Sequence, residues 1–232
     1  MLFTARPAAV LGALTASALL LISVSRAQEG GKFSIKVTKE APPSDLKGGI
    51  AKLLKPEAIE LLDGSGNKVC ALWLRKEVPA DATAEQLQNG LSYRELKETT
   101  VVGAVRFDKE WTDIRKQKVK AGVYTLRLGR QPEDGDHAGV SPSKDFCLLV
   151  AADKDTGPAT MEPKELHEKS MKSIDTGHPA ALMLFAVSKA PATPQLGMVE
   201  GKYWVVNTRL PVLAAGKKGD LGVGLTLVGS PE

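Results

Sequence analysis

Apolar and polar positions alternate with a period of two over much of this chain. Lys32-Phe33-Ser34-Ile35-Lys36-Val37-Thr38 puts Phe33, Ile35 and Val37 on one face, the pattern of a half-buried β-strand. Ala58–Leu62 and Lys68–Arg75 flank Asp63-Gly64-Ser65-Gly66-Asn67, whose residues favour a hairpin turn. Further strands are expected at Thr99–Phe107, Gly122–Gly129, Asp145–Ala152, Ala181–Val187, Tyr203–Thr208 and Leu221–Val228. Short strands separated by Gly, Pro, Asp and Lys predict a mainly β fold, and we expect an antiparallel β-sandwich.

Three segments depart from that period. Gly49–Leu54 and Asp81–Asn89 each have room for a turn or two of helix, and Gly90 stops the second. Residues 162–174 predict one full helix packed on the sheet, with Pro163 in its first turn and Gly177 just beyond its end. Pro163, Leu166, Ser170, Met171, Ile174 and His167 share one side of it, while Lys164, Glu165, Glu168, Lys169 and Lys172 form a wet face.

The N-terminus reads differently. Arg6 precedes an apolar run that ends at Ser25-Arg26-Ala27, with small residues at −3 and −1 of a cut after Ala27. That is the pattern of a cleavable signal peptide over residues 1–27, and the expectation is a secreted or periplasmic protein with no membrane span after cleavage. The remainder, 28–232, is long enough for one β-rich domain. Residues 1–27 hold two Arg and no acid, so cleavage lowers the formal charge from +4 to +2. Apart from Arg115-Lys116-Gln117-Lys118-Val119-Lys120 there is no basic run, and no aromatic residues interleave it. This argues against nucleic acid as a partner and leaves an extracellular or envelope partner.

Cys70 and Cys147 each lie in an apolar run. In an oxidising compartment they are expected to form a disulfide, with two buried free thiols as the alternative.

Catalytic motifs fail on inspection. Gly139-Val140-Ser141-Pro142-Ser143 lacks the last Gly of a nucleophile elbow. His167-Glu168-Lys169-Ser170-Met171 has Met where a zinc-protease helix needs its second His. Gly222 and Gly224 fall in a strand and read as close packing or a bulge. Two weaker constellations remain. The turn Glu133-Asp134-Gly135-Asp136-His137 offers Asp134 and Asp136 as oxygen ligands for a divalent cation, or His137 as an acid or base. The alternative is an Asp-Gly turn that caps its own backbone. His167 with Met171 is a soft-metal pair short of ligands, so a packed histidine is expected there. His178, in the loop after the helix, is placed to approach either. Trp73, Trp111 and Trp204 lie in or beside strands, where a core role competes with a carbohydrate-binding face.

The phrase Ala121-Gly122-Val123-Tyr124-Thr125-Leu126 resembles the strand entry of exported bacterial β-sandwich families of unknown function. The likeness runs over about residues 99–150 and continues into Gln131–His137. It implies an exported β-sandwich and carries no catalytic residue. The reading is an exported binding or structural module. Its rivals are a metal-dependent or acid–base enzyme using Asp134, Asp136 and His137, and a carbohydrate-binding module.

Overall fold

In the computed structural model, which describes Met1 and residues 32–131 and 143–229, thirteen strands and three α-helices are assigned. The chain runs β1 (Phe33–Thr38), α1 (Ile50–Leu53), β2 (Ala58–Asp63), β3 (Lys68–Leu74), β4 (Val78–Pro79), α2 (Ala84–Asn89) and β5 (Val101–Phe107). A two-stranded hairpin, β6 (Trp111–Thr112) with β7 (Lys118–Val119), precedes β8 (Gly122–Arg130) and β9 (Asp145–Ala151). Then come α3 (Pro163–Ile174), β10 (Ala181–Ala186), β11 (Gln195–Val199), β12 (Tyr203–Ala214) and β13 (Lys217–Val228).

The expected sandwich gives way to a single curled sheet. Its hydrogen-bonded order is β1-β2-β3-β5-β8-β9-β10-β13-β12-β11, with no break that would divide it in two. The pairings along this path are antiparallel; β4 joins β12 in parallel and makes the sheet mixed. Register shifts at Leu61/Leu62, Val101/Gly103 and Trp204/Val205 add local twist. The sheet curls until Phe33 on β1 meets Trp204 on β12 edge to face, ring centres 5.5 Å apart.

Both faces are covered, which explains the unbroken apolar runs in β9 and β10. Inward, Leu61, Leu72, Val105, Leu126, Leu149, Leu182, Val206 and Leu225 form one core across the curl. One end is plugged by Trp111, stacked on Phe107 at 4.6 Å and donating its indole N–H to the Leu227 carbonyl. Tyr93 and Leu96 line a remaining apolar void of about 10 Å³, water-sized and no more. Outward, a strap carrying Leu46, Ile50 and Leu54 lies over Ala71, Trp73 and Ala104. Leu166 of α3 packs on Phe146, Leu148, Val150, Met183 and Val205.

On the outer face of β8 the side chain is charged. Arg127 is fully buried and makes a bidentate pair with Asp155, Nε to Oδ2 at 2.7 Å and Nη2 to Oδ1 at 2.8 Å. Its other N–H groups reach the carbonyls of Thr99, Ala159 and Gly157. One guanidinium thus fixes the loop 155–159 onto the sheet.

Cys70 and Cys147 are free, and the expected disulfide is not formed. They sit on β3 and β9 with β5 and β8 between them, three strand spacings or about 14 Å measured across the sheet. They are also displaced along it, since Cys70 is level with Phe107 and Gly122, whereas Cys147 is opposite Leu128. No native bridge spans that separation. Among the described residues, no helix is long and apolar enough to cross a membrane.

Candidate functional site

A cleft of about 670 Å³ opens where β8 begins, β9 ends and α3 runs out, a volume within the range of small-ligand sites. Four separate segments line it: Asp45 and Lys47, Lys120 to Tyr124, Ala151 to Lys154, and Lys172, Ser173 and Asp175.

Each wall is held by an identifiable contact. The Ser173 hydroxyl donates to the Lys169 carbonyl at 2.7 Å and accepts the Ala151 N–H at 2.8 Å, tying the last turn of α3 to β9. Asp175 ends that helix in the left-handed conformation, φ 57°, ψ 45°, its N–H bonded to the Met171 carbonyl. The Ala152 N–H bonds to the Val123 carbonyl, and the Asp155 N–H folds back on the Ala151 carbonyl. Asp153 and Lys154 therefore lie directly before the residue that Arg127 anchors. The 45–47 wall is seated by Gly48, at φ 57°, where a β-carbon would come within 1.9 Å of the Thr156 carbonyl oxygen.

The lining is charged and exposed. Lys47, Lys120, Lys154 and Lys172 face water alongside Asp45, Asp153 and Asp175, and none of the seven forms an ion pair among the described residues. Tyr124 at the floor donates its hydroxyl to the Lys120 carbonyl at 2.9 Å. Burial, and then the charge of Asp153, raise the pKa of this phenol above its ordinary value. It stays a neutral donor at physiological pH. The arrangement can pair with anionic groups through four ammoniums and accept hydrogen bonds through three carboxylates.

The residues singled out from sequence do not meet here. Asp134, Asp136 and His137, with Glu133, lie outside the described residues. The strands on either side of them end at Arg130 and Asp145, at the far end of β8, roughly 26 Å along the strand from Gly122. At that stem burial raises the pKa of Asp145, opposed by Arg130 and Arg94, while Arg130 donates to the carbonyls of Tyr93 and Leu96. His178 is exposed after α3, and its carbonyl accepts the Thr176 hydroxyl at 2.6 Å. His167 is half-buried on α3, as its helical position predicts. Among the described residues, no group of three or more His, Cys, Asp or Glu is placed to hold a metal ion.

Trp73 and Trp111 are core residues and Trp204 is half-buried against Phe33, so the described tryptophans present no flat row for a sugar. Gly222 and Gly224 do mark close packing: a β-carbon on Gly222 would stand 1.8 Å from the Val187 carbonyl oxygen. Sequence reasoning missed the cleft because its charges come from four distant segments with no common spacing. Lys120 in the basic run and Lys172 on the wet face of the helix were visible singly, with nothing in the sequence to join them. No family model, curated protein or solved structure matches the chain.

Proposed function

We propose that this is an exported binding module whose ligand occupies the cleft between β8, β9 and α3. The observation that carries the reading is the set of seven charged side chains, unpaired with one another, on walls held by buried contacts. Charges intended only for solubility do not need an anchored floor. Here Ser173 clamps the helix end, and the Arg127–Asp155 pair holds the loop immediately after Asp153 and Lys154. Preorganisation of this kind lowers the entropy cost of binding. The packed interior supports the same view: the void beside Tyr93 and Leu96 has room for about one water, which suits a scaffold whose outer rim carries the polar chemistry. Export rests on the N-terminal run and small-residue cut, and is tested by mass spectrometry of protein from its native host, where a chain beginning at Gln28 is expected.

Thermal denaturation of the purified protein against acetate, phosphate, citrate, uronic acids, amino acids and neutral sugars tests the cleft. At least one charged ligand is expected to raise the melting temperature, and Lys154→Ala with Lys172→Ala is expected to remove the shift. A ligand whose stabilisation ignores both substitutions contradicts the reading.

A further inference from the structure

Taking the cleft as the binding site, we infer that its ligand is a carboxylate-bearing polysaccharide, a polymer of uronic acid residues, which passes through the cleft and along the β6–β7 hairpin. The shape of the cleft suits a polymer. Lys47, Lys120, Lys154 and Lys172 are exposed on its rim above half-buried backbone at Gly122, Val123 and Ala151. This is a groove open to solvent, suited to a chain whose ends continue beyond it.

The lining chemistry suits a uronate. A polyuronate presents carboxylates and hydroxyls in every repeat. Lysine ammoniums match the carboxylates as hydrated point charges, while Asp45, Asp153 and Asp175 can accept from the hydroxyls. A polyanion with no hydroxyl donors meets the same three carboxylates with nothing to offset their repulsion.

The cleft also continues into the basic hairpin. Lys120 belongs both to the cleft and to the exposed basic run with Arg115 and Lys116. That hairpin does not swing freely. Buried Asp113 accepts the Arg115 and Gln117 N–H groups, and the Gln117 amide reaches the Pro179 carbonyl at 3.1 Å. The cationic track is therefore fixed relative to the loop that leaves α3.

Other polyanions fit less well. Single-stranded DNA brings no row of hydroxyl donors for Asp45, Asp153 and Asp175, and its bases find no stacking platform, since Tyr124, the cleft's aromatic side chain, is buried. A bilayer calls for exposed apolar side chains, and Val37, Met198 and Leu213 lie outside the cleft.

The test is affinity electrophoresis and calorimetry of the full chain with polygalacturonate, using dextran, single-stranded DNA and phosphatidylglycerol vesicles as comparators. Polygalacturonate should bind, at least about tenfold more weakly when salt rises from about 20 to about 200 mM. Lys154→Ala with Lys172→Ala should lose the binding while leaving the melting temperature unchanged. Asp153→Asn separates hydroxyl recognition from plain charge attraction. It should weaken polygalacturonate binding here, whereas in a general polyanion sink, removing a negative charge strengthens it. Tighter binding to DNA or vesicles, or a gain on Asp153→Asn, overturns the inference. So does no binding to polygalacturonate. If small charged ligands still act through Lys154 and Lys172, the cleft stands and the polymer alone is wrong.

Discussion

Replacing Asp155 with alanine removes the counter-charge from a guanidinium that has no access to water. Arg127 and Asp155 have side-chain exposures of 0% and 1%, so solvent neither screens the pair nor replaces a lost partner. The substitution deletes two charge-assisted bonds from Arg127 and one of the two acceptors of the Thr125 hydroxyl, leaving it the Val150 carbonyl. The carbonyls of Thr99, Gly157 and Ala159 remain as acceptors, but carbonyl dipoles do not neutralise a full charge. Removing one partner of a buried ion pair costs about 3–5 kcal/mol, a large share of the roughly 5–15 kcal/mol that stabilises a typical domain. At this chain length that corresponds to a fall in Tm of about 6–20 °C. Urea unfolding at pH 7, followed by far-UV circular dichroism, measures it. Arg127→Met with Asp155→Leu should recover much of the loss, because no charge is then left buried without a partner. The account is refuted if Asp155→Ala costs less than about 1 kcal/mol, or if the two sites prove additive in a double-mutant cycle.

Gly222→Ala should destabilise by several kcal/mol or abolish folding, since its methyl group meets the Val187 carbonyl at 1.8 Å; a soluble variant with unchanged urea midpoint contradicts the packing. Burial pushes the Cys70 thiol up to about 12 and raises Cys147 as well, while an unfolded thiol titrates near 8.5. The folded state therefore keeps protons that the unfolded state releases, so stability falls as pH rises from about 9 towards 12, by at most about 1.4 kcal/mol per pH unit for each thiol. Cys70→Ala with Cys147→Ala should flatten that decline, and an unaltered alkaline slope would exclude the thiols as its cause. A thiol reagent at pH 8 should find no reactive cysteine in the folded protein and two after denaturation.

Local periodicity carried most of the strand positions, and the places where it failed have physical causes. Phe33, Ile35 and Val37 alternate as expected, yet Val37 is half exposed because β1 is an edge strand and the core stops short of it. β12 continues six residues beyond the expected end at Thr208, through Pro211. That proline sits past the end of β11 and before the β4 pairing, where β12 has one neighbour and a missing N–H is tolerated. β13 starts at Lys217 instead of Leu221 because Lys217 to Asp220 pair with β12 despite their polarity. Sandwich and curled sheet share one short-strand signature, and which strands pair is settled by contacts far apart in sequence, so pattern alone could not choose between them. The same holds for the thiols: Cys70 and Cys147 sit in equivalent apolar runs, but β5 and β8 come between them. α3 was legible to within a residue, since Pro163 and the apolar stripe through Leu166, Ser170 and Ile174 are local signals. The cleft was not, because Asp45, Lys120, Asp153 and Lys172 become neighbours only through the fold.

Amide chemical-shift mapping tests the central claim most directly. Isotopically labelled protein is titrated with the charged ligand that most raises its melting temperature. The account predicts that the perturbed amides fall in residues 45–48, 120–124, 151–154 and 172–175, and that Lys154→Ala with Lys172→Ala silences them together. Perturbations centred instead on Arg94, Arg130 and Asp145, at the far end of β8, would contradict it.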